Sequence, residues 1–132
     1  MQEDSEVQKS VMDTITNWQL YKDSELLIKS NHFSSTIHSV ELNITDEYDN
    51  LNLSVFYDFN SETINRKIRF VISKKTIAEF EENNSSRLPF KIPKEEIDKV
   101  VQGVLNESIA IVYTDSISEN GILVGFVKFT SE

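Results

Sequence analysis

Cysteine is missing from this 132-residue chain, and glycine, proline and histidine are scarce, with three, two and two residues. Without cysteine there is no disulfide, thiol chemistry or thiolate-held metal. The glycines, Gly103, Gly121 and Gly125, are scattered. They cannot build the clustered loop in which backbone amides approach a phosphate. No apolar run reaches the roughly 18 residues that span a bilayer. The start, Met1-Gln2-Glu3-Asp4-Ser5-Glu6, is acidic, whereas a secretory signal is basic and then apolar. These absences point to a cytoplasmic protein away from the membrane. Positive charge is also short, with 13 Lys and Arg against 22 Asp and Glu, a net charge of −9. Phosphate binding needs clustered Lys and Arg, so direct nucleic-acid binding is not expected. The same charge keeps a small domain soluble and leaves room for a basic protein partner or for mimicry of DNA.

What is present is enough for a core. Hydrophobic residues make up 39% and aromatics 10%, too apolar for a chain that stays disordered. The length is that of one domain spanning residues 1–132, and no repeat or linker divides it. Triplets such as Asn43-Ile44-Thr45 are chance in a chain rich in Asn, Ser and Thr.

The first element reads as a helix. Ser5 and Gln8 form a capping box, and Val7, Val11, Ile15 and Trp18, with Met12 alongside, make one apolar stripe. Strands follow. Ser24–Ser30 holds a short apolar run, and Val40, Leu42 and Ile44 alternate with polar neighbours. Leu51, Leu53, Val55, Tyr57 and Phe59 give the clearest period of two. After polar turns at Asp46–Asn50 and Asn60–Asn65, Ile68, Phe70 and Ile72 alternate in turn, which predicts an antiparallel meander. Thr76-Ile77-Ala78-Glu79 reads as a capping box opening a short helix that stops at Asn83–Ser86. Leu88, Phe90 and Ile92, around Pro89 and before Pro93, read as an extended connection or edge strand. Ile97, Val100, Val101, Val104 and Leu105 then recur at helical spacing behind Pro93. Gly103 within that helix costs about 1 kcal/mol relative to Ala and suits close packing against a sheet. Ser108–Thr114 and Gly121–Thr130 form a hairpin apolar on both faces, so both faces call for a cover of helices or of another subunit.

The expected fold class is therefore α+β: an antiparallel or mixed sheet of about five to six strands with helices packed on one side, in the order α–β–β–β–β–α–α–β–β. This order is similar to that of small acidic secretion chaperones. The C-terminal helix common in that family is missing here and no motif of theirs occurs, so no residue is carried over.

Catalytic signals are weak. His32 and His38 are the only histidines; on one straight strand they stand roughly 20 Å apart, and nothing in the sequence demands the bend at Phe33-Ser34-Ser35 that would bring them together. Two histidines fall short of the three or four ligands of a zinc site. The turn Asp46-Glu47-Tyr48-Asp49-Asn50 gathers carboxylates but lacks the glycine and the later glutamate of a calcium loop, so it reads as a solvated hairpin turn. No cofactor or metal is implied, and the balance leans away from an enzyme. The basic island Arg66-Lys67-Ile68-Arg69 is unusual in so acidic a chain. With Ile68 and Phe70 inward, Lys67, Arg69 and Val71 face outward, and a hairpin register sets Phe56 opposite Arg69 and Asp58 opposite Lys67. Phe56 and Val71 break otherwise polar positions, and aromatic and arginine residues anchor protein interfaces. Phe56, Lys67, Arg69 and Val71 are thus the candidate interaction face, for a protein partner or for self-association. The leading expectation is a non-catalytic protein-binding module of accessory, chaperone-like or immunity-like kind. A small enzyme or ligand binder using carboxylates with His32 or His38 is the second, and an acidic nucleic-acid mimic the third.

Overall fold

The computed structural model describes residues 15–34, 36–57 and 62–131. Among these, the elements in chain order are β1 (Ile15–Lys22), β2 (Glu25–Asn31), β3 (Ser39–Asn43), β4 (Asn50–Tyr57), β5 (Thr63–Ile72), β6 (Lys75–Ser85), β7 (Phe90–Pro93), α1 (Lys94–Val101), β8 (Ser108–Asp115) and β9 (Ile122–Thr130). The strands build two sheets, a four-stranded one ordered β2-β1-β4-β7 and a five-stranded one ordered β3-β9-β8-β5-β6. Trp18, Leu53 and Phe90 of the smaller sheet and Phe70, Ile111 and Phe129 of the larger belong to one buried cluster. Each strand turns alternate side chains toward it, as the pleat requires. Burying a side chain of this size contributes roughly 1.5–3 kcal/mol, so this shared cluster holds the sheets face to face. Ile97 and Val101 of α1 join it.

The α+β expectation with helices on one side is therefore wrong: the chain is mostly β, with one described helix. The element order that resembled secretion chaperones goes with it. Three local signals misled. Ile15 and Trp18 share the core face, as they would on a helix, but they lie in β1. A bulge between Ile15 and Asn17 in the pairing with β4 shifts the phase of the pleat and puts residues three apart on one side. The rest of that stripe, Val7, Val11 and Met12, lies outside the described residues.

The capping box at Thr76 is overridden by a hairpin. Ser73 and Lys74 both have positive φ, 50° and 68°, the conformation of a two-residue type I′ turn, whose twist suits paired strands. β6 then pairs along β5 from Ile72↔Lys75 to Thr63↔Ser85, and the Phe80 ring meets Phe70 edge-on at 5.2 Å. The helix expected through Leu105 ends at Val101. Val104 and Leu105 still pack on the core, but from a turn that Asn106 closes at φ 68°. Gly103 permits no close approach, since a Cβ there would meet nothing within 4 Å.

The expected meander is corrected as well. β4 and β5 belong to different sheets, so the chain crosses the sandwich between them, and it crosses again between β3 and β4. Asp46–Asn50 is thus a sheet-crossing connection and not a hairpin turn. Its backbone amides and its Asp46 carboxylate are held by Asp23 and Lys22. Asp23 accepts the amides of Asp49 and Asn50 at 2.9 Å each, and Asp46 lies 3.4 Å from Lys22 Nζ. No described helix is long and apolar enough to cross a membrane.

Candidate functional site

The four residues expected to share a face are split by this crossing. Lys67, Arg69 and Val71 do stand together on the outer face of the larger sheet. Lys67 lies between Glu81 and Thr114, Arg69 between Glu79 and Val112, and Val71 between Thr76 and Ala110. Phe56 is on the outer face of the smaller sheet, opposite Asn17 and 43% exposed. It cannot meet Arg69, whose neighbours are already filled. Asp58 lies outside the described residues. The Lys67–Glu79 pair, at 3.8 Å with both side chains near half exposed, is of the surface type that adds at most about 1 kcal/mol.

What the larger sheet adds to these residues is apolar. Ala110 lies beside Val71 on one side and Phe126 on the other, and Val112 lies beside Leu123. These positions alternate with the buried Ile109, Ile111, Ile122, Val124 and Val127, so they point away from the core. Leu123 is 42% exposed. Among the described residues no helix lies across them, so the described residues cover the doubly apolar β8–β9 hairpin on its inner face only.

A second feature is a cleft of about 300 Å³ at one end of the sandwich, and both His32 and His38 line it. The connection from β2 to β3 bends there, and histidines that a straight strand would separate come to one opening. Trp18 forms the floor. Its Nε1–H donates to the Val124 carbonyl at 3.2 Å, and its ring meets His32 edge-on at 5.9 Å. Gly125 shapes the wall: a Cβ on it would lie 2.7 Å from Ile28 Cδ1 and 3.0 Å from the His38 carbonyl oxygen. Among the described residues no carboxylate lines the cleft, and no three His, Cys, Asp or Glu side chains converge as metal ligands would.

No family model matches the sequence. The chain is similar to an adenine deaminase of Thermosipho melanesiensis (strain DSM 12029 / CIP 104789 / BI429), with 28% identity over 109 residues. The match covers 83% of this chain and 18% of that protein, so the chain spans less than a fifth of the length of the curated relative.

A buried polar cluster inside the sandwich, centred on Arg66, is absent from the expectations drawn from the sequence. Arg66 is wholly buried. Its Nε–H donates to the Tyr113 hydroxyl at 3.0 Å, and Nη1 donates to Asn84 Oδ1, Ser85 O and Leu88 O at 2.8, 3.2 and 2.9 Å. Its guanidinium carbon lies 5.7 Å from the Phe90 ring centre and 5.6 Å from that of Tyr113. Nη2 has no hydrogen-bond partner. Compensating charge arrives through neutral relays. Tyr113 donates to Asp115 at 2.6 Å, and Asn84 donates to Glu82 at 2.8 Å. Tyr57 of the smaller sheet also donates to Asp115, whose other oxygen accepts the amides of Ile117 and Ser118. The cluster is thus a clasp between the two sheets. Burial pushes the Tyr113 phenol above its ordinary value and the hydrogen bond to Asp115 adds to the rise, while Arg66 opposes it. The signal for Arg66 was available: the phase that puts Ile68 and Phe70 inward puts residue 66 inward too.

Proposed function

We propose that the protein is a non-catalytic, cytoplasmic protein-binding module that docks a partner on the outer face of the larger sheet. The observation that carries this reading is the apolar surface of Val71, Ala110, Val112, Leu123 and Phe126, contiguous over three strands and edged by Lys67 and Arg69. Interfaces pair such an apolar centre with a charged rim. The net charge of −9 favours long-range attraction of a basic partner, while Lys67 and Arg69 at the rim of this face call for carboxylates opposite them at contact. Similarity to a limited part of a much longer enzyme is in keeping with an accessory unit. The nucleic-acid-mimic reading finds less support on this face, where Glu79 and Glu81 alternate with the bases of β5 across the pair.

Two outward substitutions, Val112→Lys and Leu123→Lys, test the reading. Away from the core, such changes usually alter stability by about 0.5 kcal/mol or less. The proposal expects immobilised wild-type protein to retain a stoichiometric partner that the double variant loses while keeping its urea midpoint. If wild type captures nothing and sediments as a monomer, or if the variant binds equally well, the reading fails. A wild-type dimer that the variant dissociates identifies the partner as a second copy.

A further inference from the structure

We propose that the cleft at His32 and His38 is a binding site for a small organic carboxylate with an apolar body. It is independent of the outer-face reading and rests on the hydrogen-bond polarity of the cleft. Ser30 is 8% exposed and lines the opening, yet among the described residues its hydroxyl makes no hydrogen bond. Asn31 has its carbonyl oxygen engaged by the Phe33 amide at 2.8 Å, which leaves the side-chain NH2 to donate. Ser34 has its oxygen engaged by the Thr36 amide at 3.2 Å, which leaves its O–H to donate. The two imidazoles add N–H groups, and among the described residues they are the only titratable side chains lining the site. Because the oxygens of Asn31 and Ser34 are engaged, side-chain donors outnumber the free side-chain acceptors among the described lining residues. Those free acceptors are the Ser30 and Thr36 hydroxyl oxygens and one nitrogen of each imidazole. The complement of such a wall is a group that only accepts, and an ionised carboxylate is one.

The remaining surface selects the rest of the molecule. Trp18, Ile37, Ile122 and Val124 give an apolar wall, and the indole is fixed by its bond to Val124. A volume of about 300 Å³ lies at the lower end of small-molecule pockets and admits one ring-sized body. Among the described lining residues a cation would meet no carboxylate and more donors than acceptors.

Trp18 is the only tryptophan, so its emission reports on this site alone. The probes are benzoate, with benzylamine as a cation of the same size. The expected result is a saturable change in Trp18 emission, and in the amide signals of Ser30, Asn31 and Ile122–Gly125, with benzoate. Benzylamine should bind at least about tenfold more weakly, because the hydrogen bonds to the charged group are lost. Ser30→Ala and His38→Gln should each raise the benzoate Kd about three- to tenfold, and Lys67→Ala, on the outer sheet face, should leave it unchanged. Should Ser30→Ala unfold, His38→Gln at its exposed position carries the comparison. The absence of a saturable change at millimolar benzoate overturns the proposal, as does equal binding of benzylamine or an unaltered Kd in the variants that fold.

Discussion

Replacing Arg66 by Ala removes the centre of the inter-sheet clasp and should cost about 3–5 kcal/mol, as breaking a buried charge network does. The structure supplies the terms. Four acceptors, Tyr113 Oη, Asn84 Oδ1, Ser85 O and Leu88 O, lose their guanidinium donor. A hydrogen bond to a charged group is worth roughly 1.5–3 kcal/mol. Two effects reduce the sum: the buried and unpartnered Nη2 costs the wild type, and only two Nη1 hydrogens serve three acceptors. Against a domain stability of about 5–15 kcal/mol the loss is large. With a urea slope of about 1–3 kcal/mol per molar, the midpoint should fall by about 2 M. Arg66→Met restores the filling between the Phe90 and Tyr113 rings but no donor, and should stay roughly 1–3 kcal/mol below wild type. The deficits should be nearly equal in low and high salt, because buried charges are little screened. Urea unfolding followed by Trp18 emission measures all three. An Ala variant within about 0.5 kcal/mol of wild type would refute the clasp as a source of stability.

Tyr113 and Tyr48 both have phenol pKa values raised above the ordinary 10. For Tyr48 the cause is burial first and then the nearby Asp98, Asp46 and Asp23. Because the folded state holds these protons more tightly than the unfolded one, the associated stability is complete below about pH 10 and is lost as the pH rises beyond it. Absorbance at the tyrosinate band should show the Tyr48 and Tyr113 phenols still protonated above pH 10 while the protein stays folded. Gly125→Ala should lower the melting temperature, with a cost of about 1–3 kcal/mol for forcing a methyl against Ile28 and the His38 carbonyl. Gly103→Ala, where a Cβ meets nothing, should instead be neutral or stabilise by about 0.4–1 kcal/mol. Changing Ser73-Lys74 to Asn-Gly should raise the thermal midpoint, by about 0.5–1 kcal/mol, because both positions already have positive φ and the new residues adopt it more readily.

The strands were legible wherever burial alternated without interruption. β4, with Leu51, Leu53 and Val55 inward, and β8–β9 read correctly, because a strand with a buried face repeats every two residues. The elements misread are those in which local signal and tertiary pairing disagree. A bulge gave Ile15 and Trp18 a helical spacing, and a tight turn at Ser73-Lys74 lacked the Asn and Gly that usually mark one. Beyond the β8–β9 hairpin, which strands paired was not legible. A polar connection of similar composition serves both a hairpin and a crossing of the sandwich, so Phe56 was assigned to the face of Arg69 when it belongs to the opposite side. The sequence left open whether the two histidines stand apart or together, and the structure sets both on one cleft.

Sheet order carries a kinetic consequence. β3 pairs in parallel with β9, with Ser39 beside Phe126 and Asn43 beside Thr130, so an early strand of the larger sheet rests on a late one. Closing so long a loop costs entropy before any contact repays it, and folds dominated by such pairings form slowly. A nascent chain interrupted before Ile122 leaves β3 without its neighbour and β8 with an open edge. It also deprives the Trp18 indole of the Val124 carbonyl that it bonds in the finished molecule. The tryptophan should therefore reach its native environment only when the last strand docks, which makes its emission a clock for the final step of folding.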